Sequence, residues 1–178
     1  MKFILSILCL SILFIGCQPK PDNSAKEAFE KNSATVKANV EGFMNESIDY
    51  SMYADDFVMR GTGANSSDSL SLDDVKKNDK ELWADYDFKL LDELVLLPGV
   101  NSETKEMDGS VRYYGNWEIT IPATDSTEAR SEVLKYYESF DFDEEGKILF
   151  QQGYGDFGGV WGKLHQSDKD DSEEAPEE

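Results

Sequence analysis

The sequence predicts an α+β fold in which helices cover one face of a strongly curved antiparallel sheet, and three observations predict it. Two amphipathic helical patterns lie between residues 25 and 85. From Phe88 onward the apolar residues follow strand patterns rich in Leu, Tyr, Trp and Ile, and Asp143-Glu144-Glu145-Gly146 supplies a hairpin signal between the last two. Helices first and strands afterwards is the order of a layered α+β domain, whereas a parallel sheet would alternate them.

The first element is not part of that domain. Met1-Lys2 gives one positive charge, and Phe3 to Gly16 is an almost unbroken apolar run. This is the layout of a signal peptide. The run falls short of the roughly 20 residues that span a bilayer, and Gln18-Pro19-Lys20-Pro21 follows at once. Leu13-Phe14-Ile15-Gly16-Cys17 resembles the lipobox of bacterial lipoproteins. The resemblance implies cleavage before Cys17, lipid on its sulfur and anchoring to a membrane of the cell envelope. Each buried acyl methylene contributes about 0.8 kcal/mol, so several chains would hold the protein effectively permanently. Gln18 is not the aspartate that marks inner-membrane retention in some bacteria, and the outer membrane is preferred. Cys9 follows Leu8 and does not compete. With Cys17 lipidated, no thiol remains for a disulfide, a redox pair or a metal site.

The expected organisation is a signal peptide at 1–16, a lipidated cysteine and tether at 17–24, one domain at 25–166 and an acidic disordered tail at 167–178. The tail carries Lys169 as its only base and too few apolar residues to offset its ordering entropy. The whole chain has 37 acidic against 17 basic residues, a balance that repels nucleic acid and anionic headgroups.

Within the domain, Phe29, Val36, Val40 and Phe43 follow the steps of one helix face, predicting a helix from Ala25 to about Glu46. A short helical piece from Ser47 to Ala54 and a brief strand from Asp56 to Arg60 follow, ending in Gly61-Thr62-Gly63. Ala64 to Ser69 reads as a polar loop. Ser71 with Asp73 and Asp74 marks a helix start, because their oxygens suit the unpaired amides and positive dipole of a first turn. That helix should run through Val75, Leu82 and Trp83 to about Asp85. Phe88 to Leu97 reads as a strand stopped by Pro98-Gly99, and Val111 to Ile121 as a long one. Ser131 to Asp143 and Lys147 to Gly155 flank the hairpin turn, with Gly146 where positive φ is expected.

Three motifs then carry a resemblance. Met52-Tyr53-Ala54-Asp55-Asp56-Phe57-Val58, Val111-Arg112-Tyr113-Tyr114-Gly115-Asn116-Trp117 and Phe142-Asp143-Glu144-Glu145-Gly146-Lys147-Ile148 resemble the SnoaL-like branch of the nuclear transport factor 2-like superfamily. The likeness spans nearly the whole domain. It implies a cone, formed by a curved sheet and its helices, around a mostly apolar pocket. The superfamily hosts isomerases, dehydratases, cyclases, epoxide hydrolases and non-enzymatic binding modules, so fold alone leaves function open.

Ketosteroid isomerase, which the chain resembles at the first and last motifs, places its general base where Gly61 stands here, and a glycine cannot take a proton. Its oxyanion-hole acid corresponds to Glu138. A carboxyl in an apolar cavity has its charged form disfavoured, which raises its pKa and lets it move a proton near neutrality. Glu138 is therefore the leading catalytic candidate, with Tyr136 beside it. Leu134, Tyr136, Phe140 and Phe142 share its face of the strand; in the opposite register Glu138 meets solvent and Val133, Lys135 and Tyr137 turn inward. Trp117, Tyr154 and Arg60 complete the expected lining with Leu134 and Phe140. Asp56 is a further candidate acid, and with Asp55 and Arg60 could form an acid and arginine set. Adjacent strand residues point to opposite faces, however, so both carboxyls cannot reach one substrate.

His165 is the only histidine, which leaves no counterpart for a histidine–aspartate dyad or a histidine-rich metal site. No metal or cofactor is expected. Gly153, Gly155, Gly158 and Gly159 trail a strand with no helix expected behind them, so sheet curvature or pocket space explains them better than a phosphate loop. Paired tyrosines send one ring of each pair to the outer face, which suggests a homodimer through the sheet or packing by another envelope protein. Two functions remain in view: a lipid-anchored module that binds a small, largely apolar ligand or serves assembly, and a small lyase, isomerase or cyclase using Glu138 with Tyr136 or Tyr154.

Overall fold

The computed structural model describes residues 22–63 and 66–166. The expected signal peptide at 1–16, Cys17 and the expected acidic tail at 167–178 lie outside the described residues. Helix α1 spans Ser24–Met44 and buries Val36 and Val40, with Phe29 and Phe43 against the core, on the face that the periodicity predicts. Only a 3-10 turn, Tyr50–Met52, forms where a longer helical piece was expected. Tyr53 and Ala54 are buried and already extended, so strand β1 runs Tyr53–Arg60 and starts before Asp56. Helix α2, Leu72–Asp85, opens on a reciprocal cap: the Ser71 hydroxyl accepts from the Asp74 amide at 3.3 Å, and the Asp74 carboxylate accepts from the Ser71 amide at 2.9 Å.

The region expected as one strand from Phe88 is two, β2 at Asp87–Leu90 and β3 at Val95–Val100. Both pair with the long β4, Met107–Ile121. Pro98-Gly99 does not stop β3, because this strand has a partner on one side only and can spare the proline's missing N–H. Strands β5, Arg130–Phe142, and β6, Ile148–Gly155, form the expected hairpin. Gly146 takes φ 82° there, and the Asp143 carboxylate accepts from the Glu145 and Lys147 amides.

Two further expectations are corrected. The sheet is mixed rather than an antiparallel meander, since β1 lies parallel to β6 in the order β1-β6-β5-β4-β2. A third helix, α3 at Phe157–Leu164, follows the last strand where none was expected. Its glycines lower helix propensity and hide it, but the Asp156 carboxylate caps the Gly159 amide and Val160 and Leu164 are buried. The three helices close the curved sheet into a cone around Val111, Ile119, Phe140 and Ile148, all fully buried.

Candidate functional site

A cavity of about 520 Å³ occupies the cone. The sheet supplies Tyr113, Trp117, Ile119, Leu134, Tyr136 and Glu138; α1 gives Asn39, Val40 and Phe43; α2 gives Val75, Asp79 and Leu82; and α3 gives Phe157, Gly158 and Trp161. Most of this wall is hydrocarbon or aromatic ring, the composition of a small-molecule site. Among the described residues no group of His, Cys, Asp and Glu side chains is arranged to hold a metal ion.

Glu138 stands in the wall at 5% exposure. The strict alternation of β5 puts Leu134, Tyr136 and Phe140 on its side and leaves Val133 46% exposed on the other, so the inward register is the one adopted. Three donors meet its carboxylate: the Tyr113 hydroxyl at 2.9 Å, the Tyr136 hydroxyl at 3.1 Å and the Gln151 amide at 2.6 Å. They come from β4, β5 and β6, side by side in the sheet. Burial pushes the Glu138 pKa up, the three donors hold it down, the Asp79 charge adds to the upward push, and burial prevails. The donors themselves stay protonated, since burial first and then the Glu138 charge push the Tyr113 and Tyr136 hydroxyls well above the usual range.

The network reaches the helices. Asn39 donates to the Tyr53 hydroxyl at 2.6 Å, which donates to the Gln151 carbonyl oxygen at 3.4 Å. Gly153 makes room for Tyr136: a Cβ there would overlap the Tyr136 hydroxyl. On the helix side, Asp79 is 7% exposed and accepts from the Tyr50 hydroxyl at 2.9 Å. Burial outweighs that single bond and raises the Asp79 pKa from 3.8 to about 6.

The residues singled out in the sequence divide between the two faces. Glu138, Tyr136, Leu134 and Trp117 line the cavity. Phe140 sits deeper, fully buried and stacked on Tyr113 with ring centroids 6.4 Å apart, so it supports the wall without lining it. Arg60 is exposed and lies over the Phe150 ring at 5.6 Å, outside the cavity. Tyr154 is 51% exposed on the outer face beside Tyr137, because its neighbours Gly153 and Gly155 occupy the alternate positions. Asp55 and Asp56 are both exposed and take no part in the site. Asp79, Asn39, Gln151 and Tyr53 were not singled out. Asp79 shares a helix face with Val75 and Leu82, as Asn39 does with Val36 and Phe43, and a polar residue within an apolar stripe is the signal that could have found both. Gln151 carries no such signal.

The sequence matches no protein-family model and no curated protein. Solved structures do resemble the chain. A candidate polyketide cyclase from Xanthomonas campestris pv. campestris is 17% identical, with a TM-score of 0.59 over 77% of this chain and 98% of that one. An LEH-like epoxide hydrolase from M. tuberculosis is 14% identical, with a TM-score of 0.53 over 77% of this chain and 91% of that one. A nuclear transport factor 2-like protein from Anabaena variabilis is 12% identical, with a TM-score of 0.51 over 82% of this chain and 98% of that one. At such identities the likeness establishes the fold, and the chain has the SnoaL-like, nuclear transport factor 2-like cone.

Proposed function

We propose that the protein is a binding module, held at a membrane of the cell envelope by lipid on Cys17, whose cone receives a small, largely apolar molecule. The observation that carries this reading is the aromatic cavity of about 520 Å³ with a satisfied polar corner at Glu138. Hydrogen bonds within the protein fix that corner, and such preorganisation lowers the ordering cost of binding. The lipobox-like residues ending at Cys17 support the anchor, and the outer membrane remains the preferred address. Exposed Tyr114, Val133 and Tyr154 on the outer face of the sheet support a homodimer, which sedimentation at graded concentrations would reveal.

Native mass spectrometry of the full chain tests the binding reading. Retention of a small molecule that collision energy strips away is expected. A chain that is empty, and that no apolar probe stabilises in a thermal-shift panel, would overturn it.

A second reading, a small lyase, isomerase or cyclase, is favoured by one observation: an acid with a raised pKa stands inside an apolar cavity, as proton transfer requires. The names of the cyclase and epoxide hydrolase neighbours lend it support, while Gly61 at the position of the isomerase base weighs against that chemistry. Glu138→Gln separates the readings. A folded variant that keeps any turnover found would remove Glu138 from catalysis, and one that loses turnover but keeps ligand affinity would establish it.

A further inference from the structure

The charge of the occupant can be read from the same cavity, an inference that rests on the binding reading above. Asp79 and Glu138 are in its wall, and among the described residues no lysine, arginine or histidine lines it. The two acids are not equivalent. Glu138 is met by three internal donors, whereas only the Tyr50 hydroxyl donates to Asp79 among the described residues. A carboxylate taken out of water with one donor is costly unless a charged partner is supplied.

Neighbouring groups do not supply it. Tyr50 faces Asp79 from the 3-10 turn, and the Asp79 charge reaches Tyr53 in β1 and Glu138 in β5; none of the three is a cation. On the same helix, Lys76 lies over the Tyr50 ring at 5.5 Å and is paired with Asp73 at 3.2 Å. Burial accordingly lifts the Asp79 pKa to about 6, the mark of a buried acid short of positive charge.

The rest of the wall suits a cation equally well. Phe43, Phe88, Trp117, Phe157 and Trp161 surround the space, and the faces of such rings attract ammonium groups, most strongly where water is excluded. A formal charge of −20 on the chain favours entry of cations and opposes that of anions.

We propose that the cone takes a cationic amine, with its ammonium seated at Asp79 and an apolar body against the aromatic wall. Fatty acids and other carboxylates are then excluded by charge, although their tails would fit the lining.

Calorimetric titration of the full chain with 4-phenylbutylamine, 4-phenylbutanol and 4-phenylbutyrate, at about pH 7.5, tests this with one body and three head groups. The amine is expected to bind at least about tenfold more tightly than the alcohol, with no heat from the carboxylate. Asp79→Asn should abolish the advantage of the amine over the alcohol. In the unsubstituted protein the advantage of the amine should shrink as the pH falls below about 6, an arm that needs no variant. Alcohol or carboxylate binding as tightly as the amine, or an amine preference that survives Asp79→Asn or acid, overturns the amine site and leaves the binding cavity standing. Failure of all three probes, with an empty cone in native mass spectrometry, removes both.

Discussion

Replacing Asp79 by asparagine should stabilise the empty protein at neutral pH and leave its stability nearly unchanged in acid. The ordinary pKa of the group, 3.8, rises to about 6 on folding because burial outweighs the Tyr50 hydrogen bond. An acid whose folded pKa lies above its unfolded one binds its proton more tightly when folded. Its contribution is therefore fully present below about pH 4 and is lost as the pH climbs through about 6. A difference of about two units, at about 1.4 kcal/mol each, makes the ionised group cost about 3 kcal/mol at neutrality. The asparagine carries no charge to desolvate, and its carbonyl oxygen can still accept from Tyr50. Removing the Asp79 charge also relieves Glu138, which acts in the same direction.

Urea unfolding followed by tryptophan fluorescence measures both proteins at about pH 7.5 and about pH 4. The variant should be more stable by about 2–3 kcal/mol at the higher pH, with the gap closing at the lower. Comparing the two proteins at each pH cancels groups such as Asp49 and Asp74, whose pKa values backbone and side-chain hydrogen bonds lower. A variant less stable at pH 7.5, or a gap that does not change with pH, refutes the claim that Asp79 is an uncompensated buried acid.

Other substitutions address the remaining contacts. Tyr113→Phe removes the donor to the second Glu138 oxygen and should cost about 1–3 kcal/mol in the same urea assay. Gly153→Ala should force Tyr136 off Glu138, because the new Cβ would overlap its hydroxyl and approach its ring within 2.7 Å; a similar loss and a changed near-ultraviolet circular dichroism of the tyrosines are expected. Gly158→Ala and Gly162→Ala meet no atom within 4 Å, so each should stabilise α3 by about 0.5–1 kcal/mol, read as a rise in melting temperature.

What the sequence made legible is what neighbouring residues determine. The stripe through Val36 and Val40, the cap at Ser71 and the turn at Gly146 are each encoded within a few positions, and each formed. The alternation of β5 was equally local and pointed Glu138 inward once the register was chosen. The parallel pairing of β1 with β6 joins segments from opposite ends of the domain, and no local pattern specifies such a partner. Arg60 was misplaced although the signal was local: Tyr53, Phe57 and Met59 turn inward at alternate positions of β1, so Met59 lines the cavity and Arg60 faces out. In α3 the glycines masked a helix that tertiary burial of Val160 and Leu164 holds in place. Asp79 was passed over because acids on helices are ordinarily solvated, and its burial depends on the sheet that packs opposite it.

The two acids of the cavity are held by different layers, and that difference bears on why Asp79 is there. Glu138 belongs to the sheet, fixed by donors from three adjacent strands, and its hydrogen bonds offset much of the cost of burying it. Asp79 belongs to the helical layer, with a single donor from the neighbouring turn, and at neutral pH it opposes folding by about 3 kcal/mol. A ligand present at a hundred times its dissociation constant stabilises the folded state by about 2.7 kcal/mol, and more as its concentration rises. An amine seated at Asp79 would therefore restore what the empty cone lacks, and would do so across the boundary between helices and sheet. On that account the stability of the protein and the occupancy of its cavity are one equilibrium, so the extra thermal shift of an amine over the matched alcohol should appear at neutral pH and vanish at about pH 4.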